Sequence, residues 1–149
     1  MEIKDSIEFL KERESQVLGI GWDITYECNL DCLHCESKGS TGPSLDLEKN
    51  QIILEKLIKF KPIVCVTFSG GEPFCYPSFL DLLKAASDLG IIIAVASNAT
   101  LIDEKVVKEL SRLKNLVRIQ VSIYGATPLT HEKITGRKGS FGKTLRGIR

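Results

Sequence analysis

Hydrophobic residues along this chain recur in blocks with strand-like spacing. The first block, Ile20 to Tyr26, alternates apolar and polar positions, which is typical of a half-buried strand. The second, Ile63 to Phe68, is a continuous apolar and β-branched run of the kind found in strands buried on both faces. Ile91 to Ala96 and Val117 to Ile123 supply a third and a fourth block, so the sequence predicts four strands.

Helical spacing of apolar residues occupies the segments around these strands. Residues 3 to 17 place isolated apolar side chains among charged ones, which predicts an amphipathic helix that ends before Gly19. This helix would make residues 1–17 an amino-terminal extension of the domain. Four later helices are predicted. The first begins near Ser44, and the second runs from Ser78 to Leu89 and is stopped by Gly90. The third runs from a cap at Asp103 to about Leu113, and the fourth begins near Ser140.

The alternation of strands and helices predicts a parallel α/β domain over residues 18–149. The last three strands begin at Ile63, Ile91 and Val117, a repeat of 26 to 28 residues that suits right-handed crossovers between parallel strands. Each strand is followed by polar, cysteine or glycine residues. Because the carboxyl ends of parallel strands share one edge, where ligands bind, we expect the unusual residues to meet on one rim.

Composition and charge argue against several classes of partner. The 149 residues are 43% hydrophobic and 26% charged, as in ordinary globular domains, and the net charge of +1 does not favour a polyanionic partner. No basic stripe with interleaved aromatics indicates nucleic-acid binding. No apolar run resembles a signal peptide or approaches the roughly 20 residues of a membrane span, so we expect a cytoplasmic protein without a membrane partner.

Three of the five cysteines lie close together after the first predicted strand. Cys28, Cys32 and Cys35 have the spacing Cys-x3-Cys-x2-Cys. Thiols grouped in this way, in a chain without an export signal, favour a metal site over disulfides. An iron-sulfur cluster fits best, and three thiolates would leave one iron of a cubane open to another ligand. Structural zinc is the alternative, but such sites draw on a second ligand pair that this chain lacks.

A second motif follows the second predicted strand, at Ser69-Gly70-Gly71-Glu72-Pro73. Together with the cysteines it resembles the radical S-adenosylmethionine superfamily. The segments Val121 to Thr127 and Thr130 to Gly136 are similar to the fourth-strand region of its peptide-modifying and cofactor-maturing members. The resemblance covers about residues 18 to 149 and implies a partial TIM-like (β/α) barrel with about four β/α units, truncated relative to the six-unit core of the family.

The resemblance also implies the cofactors and the site residues. Cys28, Cys32 and Cys35 would hold a 4Fe-4S cluster whose open iron chelates S-adenosylmethionine. Ligand-binding roles are implied for His34, Gly70, Gly71, Glu72, Asn98 and Ser122. His34 would border the adenine, and the glycines would allow the backbone to approach the ligand closely. Glu72 would accept a hydrogen bond from the ligand's ammonium group. Asn98 and Ser122 would contact the ribose or carboxylate, and the alternative for these two is that they satisfy backbone groups at the strand ends.

The reaction expected from this resemblance is formation of a 5'-deoxyadenosyl radical that abstracts hydrogen from a peptide or a cofactor precursor. The implied partner is a cytosolic electron donor such as a flavodoxin or a ferredoxin. An open four-stranded sheet would also expose an edge at Val117 to Ile123, which favours self-association. A non-enzymatic iron-sulfur electron carrier and an inactive truncated binding domain are the alternatives.

The remaining candidate ligands are expected to be structural. Cys65 lies inside a predicted strand, where a small buried thiol is the common case. Cys75 follows the Gly-Gly-Glu-Pro turn. Either Cys75 or Cys65 would be the fourth ligand if the chain is an electron carrier. His131 is expected at the surface or near a helix start.

Overall fold

The described part of the chain alternates strands and helices as the sequence predicts. A computed structural model describes residues 17–60 and 63–149. Its elements are β1 (Val17–Thr25), α1 (Leu47–Leu57), β2 (Ile63–Gly70), a 3-10 helix (Pro73–Cys75), α2 (Phe79–Asp88), β3 (Ile92–Ser97), α3 (Glu104–Leu110), β4 (Leu116–Val121), α4 (Pro128–Thr135) and α5 (Ser140–Ile148).

All four strands belong to one parallel sheet in the order β1-β2-β3-β4. This confirms the predicted α/β fold with parallel strands. β4 lies at one edge of the sheet and has an irregular register at Val117, because Leu116 pairs with Ile93 whereas Arg118 pairs with Ala94. Val117 is 65% exposed there, so the edge expected from the sequence is present in the described residues.

One face of the sheet forms the hydrophobic core with the helices. Phe68 of β2 lies between Trp22, stacked at 6.0 Å, and Phe79 of α2, which it meets edge-on at 6.0 Å between ring centroids. Phe68 is fully buried, and Phe79 is nearly so. Burying an aromatic or aliphatic side chain of this size contributes about 1.5–3 kcal/mol. Because side chains alternate along a strand, Asp23 lies on the opposite face from Trp22.

Local side-chain bonds fix where two helices begin. Asp46 Oδ1 accepts from the backbone N–H of Lys49 at 2.9 Å, and Asp103 Oδ1 accepts from that of Val106 at 2.9 Å. Such caps satisfy amides that have no partner within the helix. The predicted cap at Asp103 is therefore confirmed. The helix predicted from Ser44 begins instead after Asp46.

Several predicted boundaries are wrong by a few residues. Val17, predicted to end the first helix, begins β1, and Gly19, predicted as a breaker, lies inside that strand. The rest of the predicted amino-terminal helix lies outside the described residues. α3 ends at Leu110 rather than near Leu113, because the chain continues in tight turns closed by bonds such as Leu113 N–H to Leu110 O. For α4, only a helix start near His131 was expected, without bounds.

Candidate cofactor site

A cavity of about 370 Å³ opens at the carboxyl ends of the strands. We call it the cofactor cavity. Eight of the nine site residues predicted from the sequence line it, namely Cys28, Cys32, His34, Cys35, Gly70, Gly71, Asn98 and Ser122. They come from four different strand ends, so the parallel sheet brings together residues that are up to 94 positions apart in the sequence.

The cysteine loop, residues Cys28 to Cys35, is held from behind by α4. Backbone N–H groups of Asp31 and Leu33 donate to the carbonyl oxygens of Thr135 (3.0 Å) and Ile134 (2.9 Å). Gly136 follows with a positive φ of 66°, and a Cβ there would lie 2.6 Å from the Asp31 oxygen. Cys28 is exposed, and Cys32 and Cys35 are half-buried. The thiols are therefore accessible, while the backbone that carries them is tied to a helix.

The two glycines of the Gly-Gly-Glu-Pro turn make room for the chain itself. Gly71 N–H donates to Thr25 O at 2.7 Å, and Glu72 N–H donates to Glu27 O at 2.8 Å. A Cβ on Gly70, whose φ is 116°, would overlap the Thr25 carbonyl, and one on Gly71 would overlap the Glu27 carbonyl. Close approach was expected toward a ligand. In this structure the glycines are needed for the approach of the cysteine loop, and they also leave the cavity wall without side chains.

Glu72 is the one predicted site residue that does not line the cavity. It is fully buried, and its carboxylate accepts from Ser97 Oγ (2.9 Å), Asn98 N–H (2.7 Å) and Phe74 N–H (3.1 Å). Burial raises the pKa of this carboxyl, and these three hydrogen bonds oppose the rise. Here Glu72 joins the turn after β2 to the end of β3, and its predicted contact with a ligand stays a prediction.

Asn98 links the end of β3 to the cysteine loop. Its Nδ2 donates to Asn29 Oδ1 at 2.9 Å, and its Oδ1 accepts from Thr100 Oγ1 at 2.6 Å. Asn29 Nδ2 donates in turn to Thr100 Oγ1 at 2.7 Å. The Nδ2 group also lies 4.0 Å from Cys28 Sγ. These bonds orient the loop immediately after the first cysteine, a contribution that the sequence analysis missed.

His34 and Tyr124 form an aromatic wall of the cavity. Their rings meet edge-on with centroids 4.5 Å apart. Tyr124 in turn lies 5.9 Å from the ring of His131, which lies 5.5 Å from Phe141. His131 lies near the start of α4, as one of its two expected positions had it, but it is not a surface residue, because its ring is fully buried in this cluster. Burial lowers the pKa of His131.

Asp23 and Ser69 are two further cavity residues that the sequence analysis missed. They face each other across β1 and β2, and Ser69 Oγ donates to Asp23 Oδ1 at 2.6 Å. The signal was present in the alternation of β1, which puts Trp22 into the core and Asp23 on the other face. Cys65 and Cys75 do not line the cavity, and both thiols are half-buried. Burial raises the pKa of Cys75.

Comparison with known proteins identifies the family. Residues 22–149 match the profile of the radical SAM superfamily. The chain belongs to this superfamily. Its members bind a 4Fe-4S cluster and S-adenosylmethionine. Radical SAM enzymes of known structure have TIM-barrel-like folds, and this chain contains part of one.

Among relatives of this radical SAM chain, the AdoMet-dependent heme synthase of Methanosarcina barkeri is 35% identical over 133 residues, covering 87% of the chain and 37% of the relative. The Fe-coproporphyrin III synthase of the same organism is 31% identical, covering 95% of the chain and 35% of the relative. The mycofactocin maturase MftC of Mycobacterium ulcerans is 31% identical, covering 85% of the chain and 32% of the relative. The chain thus spans about a third of the length of these relatives.

Solved structures agree on the fold. Streptococcus suis SuiB bound to S-adenosylmethionine superposes with a TM-score of 0.74 at 20% identity, covering 97% of this chain and 34% of SuiB. The anSMEcpe structure with bound AdoMet and the Kp18Cys peptide gives a TM-score of 0.74 at 22% identity, covering 89% of this chain and 39% of that protein.

The donor chemistry of the radical SAM site fits the cofactors of the family. Three thiols on one loop are the ligand type of iron-sulfur clusters, and the neighbouring wall at Gly70 and Gly71 has no side chains. Within the described residues, no group of three or more His, Cys, Asp or Glu side chains is gathered for a single metal ion. The ligands of a cubane bind different irons, so they need not converge on one point.

Within the described residues, no helix has the length and apolarity that crossing a membrane requires.

Proposed function

We propose that this radical SAM chain binds a 4Fe-4S cluster through Cys28, Cys32 and Cys35 and binds S-adenosylmethionine beside it. The observation that carries the proposal is the lining of one cavity by these three thiols together with Gly70, Gly71, Asn98 and Ser122. When bound, the cluster would supply the electron that cleaves the sulfonium to a 5'-deoxyadenosyl radical, which abstracts hydrogen from the substrate.

Different residues of the chain would bind the cluster and S-adenosylmethionine. The cysteine loop supplies the thiolates, and its backbone bonds to α4 hold it in place before the cofactors bind. The side-chain-free wall at Gly70 and Gly71 leaves room for the ligand. Ser122 offers a hydroxyl at the end of β4, and the rings of His34 and Tyr124, which meet edge-on, form an aromatic corner of the cavity suited to contact with an adenine.

Glu72 acts through its neighbours in this proposal. Its carboxylate receives hydrogen bonds from Ser97 and Asn98, so it keeps the end of β3 in register with the Gly-Gly-Glu-Pro turn. Fixing these elements before the ligand arrives places the sulfonium beside the cluster at little entropic cost. Asp23 and Ser69, which are hydrogen-bonded to each other, also line this cavity.

The substrate proposed for the whole protein is a peptide or a cofactor precursor. Two of the solved structures hold peptides, SuiB with the precursor peptide SuiA and anSMEcpe with Cp18Cys, which supports the first class. The names heme synthase and mycofactocin maturase support the second. We further propose a cytoplasmic setting, a reduced flavodoxin or ferredoxin as electron donor, and self-association through the β4 edge.

Electron paramagnetic resonance tests the cofactor assignment directly. In the anaerobically reconstituted and reduced chain, adding S-adenosylmethionine should perturb the cluster signal, because its amino and carboxylate groups would become ligands of the iron that the three cysteines leave open. Ser122→Ala should weaken this response at unchanged iron content, whereas Ser111→Ala, on an exposed helix end, should not. A reducible cluster that does not respond to S-adenosylmethionine would favour the electron-carrier alternative.

A further inference from the structure

A second, smaller cavity lies next to the cysteine loop. Its volume is about 140 Å³, and its lining consists of Asn29, Leu30, Thr100, Arg137, Lys138, Ser140 and Lys143. Three of these seven residues are cationic, and none is acidic. We call it the basic cavity. The charge of its lining differs from that of the cofactor cavity. Apart from the cysteines and His34, the charged residues that line the cofactor cavity are acidic.

Positive charge is concentrated in the segment that forms this cavity. Residues 128–149 contain six lysines and arginines and one acid, Glu132, although the whole chain carries a net charge of only +1. None of these six cations takes part in an ion pair within the described residues. Unpaired charge of one sign creates a local positive potential, which attracts and orients an anionic partner even when the net charge is small.

The two cavities are neighbours. Leu30 lines both of them. Its backbone N–H donates to Cys28 Sγ at 3.4 Å, and the neighbouring Asn29 is bonded to Asn98 and Thr100. The segment from Cys28 to Leu30 therefore connects the basic cavity to the first predicted cluster ligand by covalent bonds and one hydrogen bond.

We infer that the surface around Arg137, Lys138 and Lys143 is the docking site of an acidic one-electron donor protein. The inference rests on the proposed function, because that reaction needs an electron delivered to the cluster. One electron leaves the donor and one is gained by the cluster, with no bond formed or broken in this step. A donor docked on this basic surface would lie beside the Cys28 to Leu30 segment, which carries the first predicted cluster ligand.

Charge complementarity favours an acidic protein over the other anions that could occupy this surface. A cavity of about 140 Å³ is too small for a folded partner, but it can receive an acidic side chain of one. Residues Arg137 and Lys138 lie in the connection between α4 and α5, where they can reach a flat partner surface. Such long-range steering mainly raises the association rate and weakens as salt increases.

Charge reversal tests the docking site. The variant Arg137→Glu/Lys138→Glu/Lys143→Glu is compared with Lys59→Glu/Lys84→Glu/Lys114→Glu, which reverses three exposed cations on other parts of the surface. The probe is a flavodoxin with acidic residues around its flavin, and its affinity for the reconstituted chain is measured by calorimetry at low and high salt. We expect the first variant to bind at least about tenfold more weakly and to lose most of its salt dependence. The control triple should bind like the unmodified chain.

Reduction kinetics give the second readout. The rate at which flavodoxin hydroquinone reduces the cluster should fall by about the same factor in the first variant, whereas the extent of reduction by excess dithionite, which needs no docking, should not change. Equal affinity of both triples for flavodoxin, or equal loss in both, would overturn the inference. If the triple variant fails to fold, the single variants Arg137→Gln and Lys143→Gln replace it. Their affinity for flavodoxin and its salt dependence are then compared with those of the unmodified chain.

Two further outcomes separate the inference from its alternatives. Binding of inorganic phosphate without binding of flavodoxin would mean that the basic cavity is a small-anion site, and would overturn the docking site. The electron paramagnetic resonance response to S-adenosylmethionine after dithionite reduction tests the proposed function without any donor protein. Loss of that response with intact flavodoxin binding would overturn the proposed function and leave the docking site standing.

Discussion

The backbone N–H of Tyr124 donates a hydrogen bond to Nδ1 of His131 at 3.2 Å. This bond fixes the chain just after β4 to a buried ring on α4, and the Tyr124 ring then packs against His34 beside the cysteines. His131 therefore positions one wall of the cofactor cavity without lining it. Its Nε2 atom has no hydrogen-bond partner within the described residues.

Removing the acceptor on His131 should disturb that wall. His131→Leu leaves the Tyr124 N–H without a partner, which costs about 1–3 kcal/mol, so we expect a lower free energy of unfolding and weaker S-adenosylmethionine binding at unchanged iron content. His131→Asn keeps an oxygen near the position of Nδ1 and should recover much of the affinity. Calorimetry on both reconstituted variants makes the comparison. Equal affinities in the two variants would contradict a positioning role.

The same residue predicts a dependence of stability on pH. Because burial lowers the pKa of His131 below its ordinary value of 6.5, the folded chain resists protonation while the unfolded chain does not. The stabilisation is complete above pH 6.5 and is lost as the pH falls through the folded pKa, with a slope of at most about 1.4 kcal/mol per pH unit. Denaturant unfolding at pH 7 and pH 5.5 should show a smaller difference for His131→Asn than for the unmodified chain.

A side chain at Gly71 should disrupt the cysteine loop. Gly71→Ala introduces a Cβ that overlaps the Glu27 carbonyl, one residue before Cys28. We expect loss of iron binding after reconstitution and a destabilisation of at least about 1 kcal/mol. Gly19→Ala is the matched control, because a Cβ at Gly19 meets no atom within 4 Å. Full iron loading of Gly71→Ala would show that the turn and the loop can separate without harm.

Iron content should distinguish the five cysteines. Alanine at Cys28, Cys32 or Cys35 is expected to abolish cluster formation, because each thiolate would hold a different iron. Alanine at Cys65 or Cys75 should leave iron content largely intact, since neither thiol lines the cavity. Iron analysis and the visible absorbance of the reconstituted proteins provide the measurement. Loss of the cluster in Cys75→Ala would instead support a fourth protein ligand.

Features governed by nearby residues were predictable from the sequence. The cap at Asp103 depends on an amide three residues away, and the four strands depend on runs of apolar residues that are visible locally. The shared rim was predictable from the strands, because parallel strands place all their carboxyl ends at one edge of the sheet. For this reason the cysteines and Ser122, 94 positions apart at most, could be assigned to one site in advance.

Features governed by packing between distant segments were not predictable. Nothing around His131 in the sequence signals burial, since its environment is made by Tyr124 and Phe141 from the preceding loop and the following helix. Glu72 was recognised as part of a motif, but its burial against Ser97 and Asn98 depends on the pairing of β2 with β3. The physical role of Gly71 likewise required the position of the Glu27 carbonyl.

The position of Leu30 has a consequence for the order of events in turnover. Leu30 lines both the basic cavity and the cofactor cavity, so the proposed donor site and the cofactor site are distinct although they are neighbours. Electron delivery and exchange of small molecules need not alternate at a common entrance. Steady-state kinetics should then follow a ternary-complex pattern, in which the donor concentration changes the maximal rate while the KM for S-adenosylmethionine stays constant.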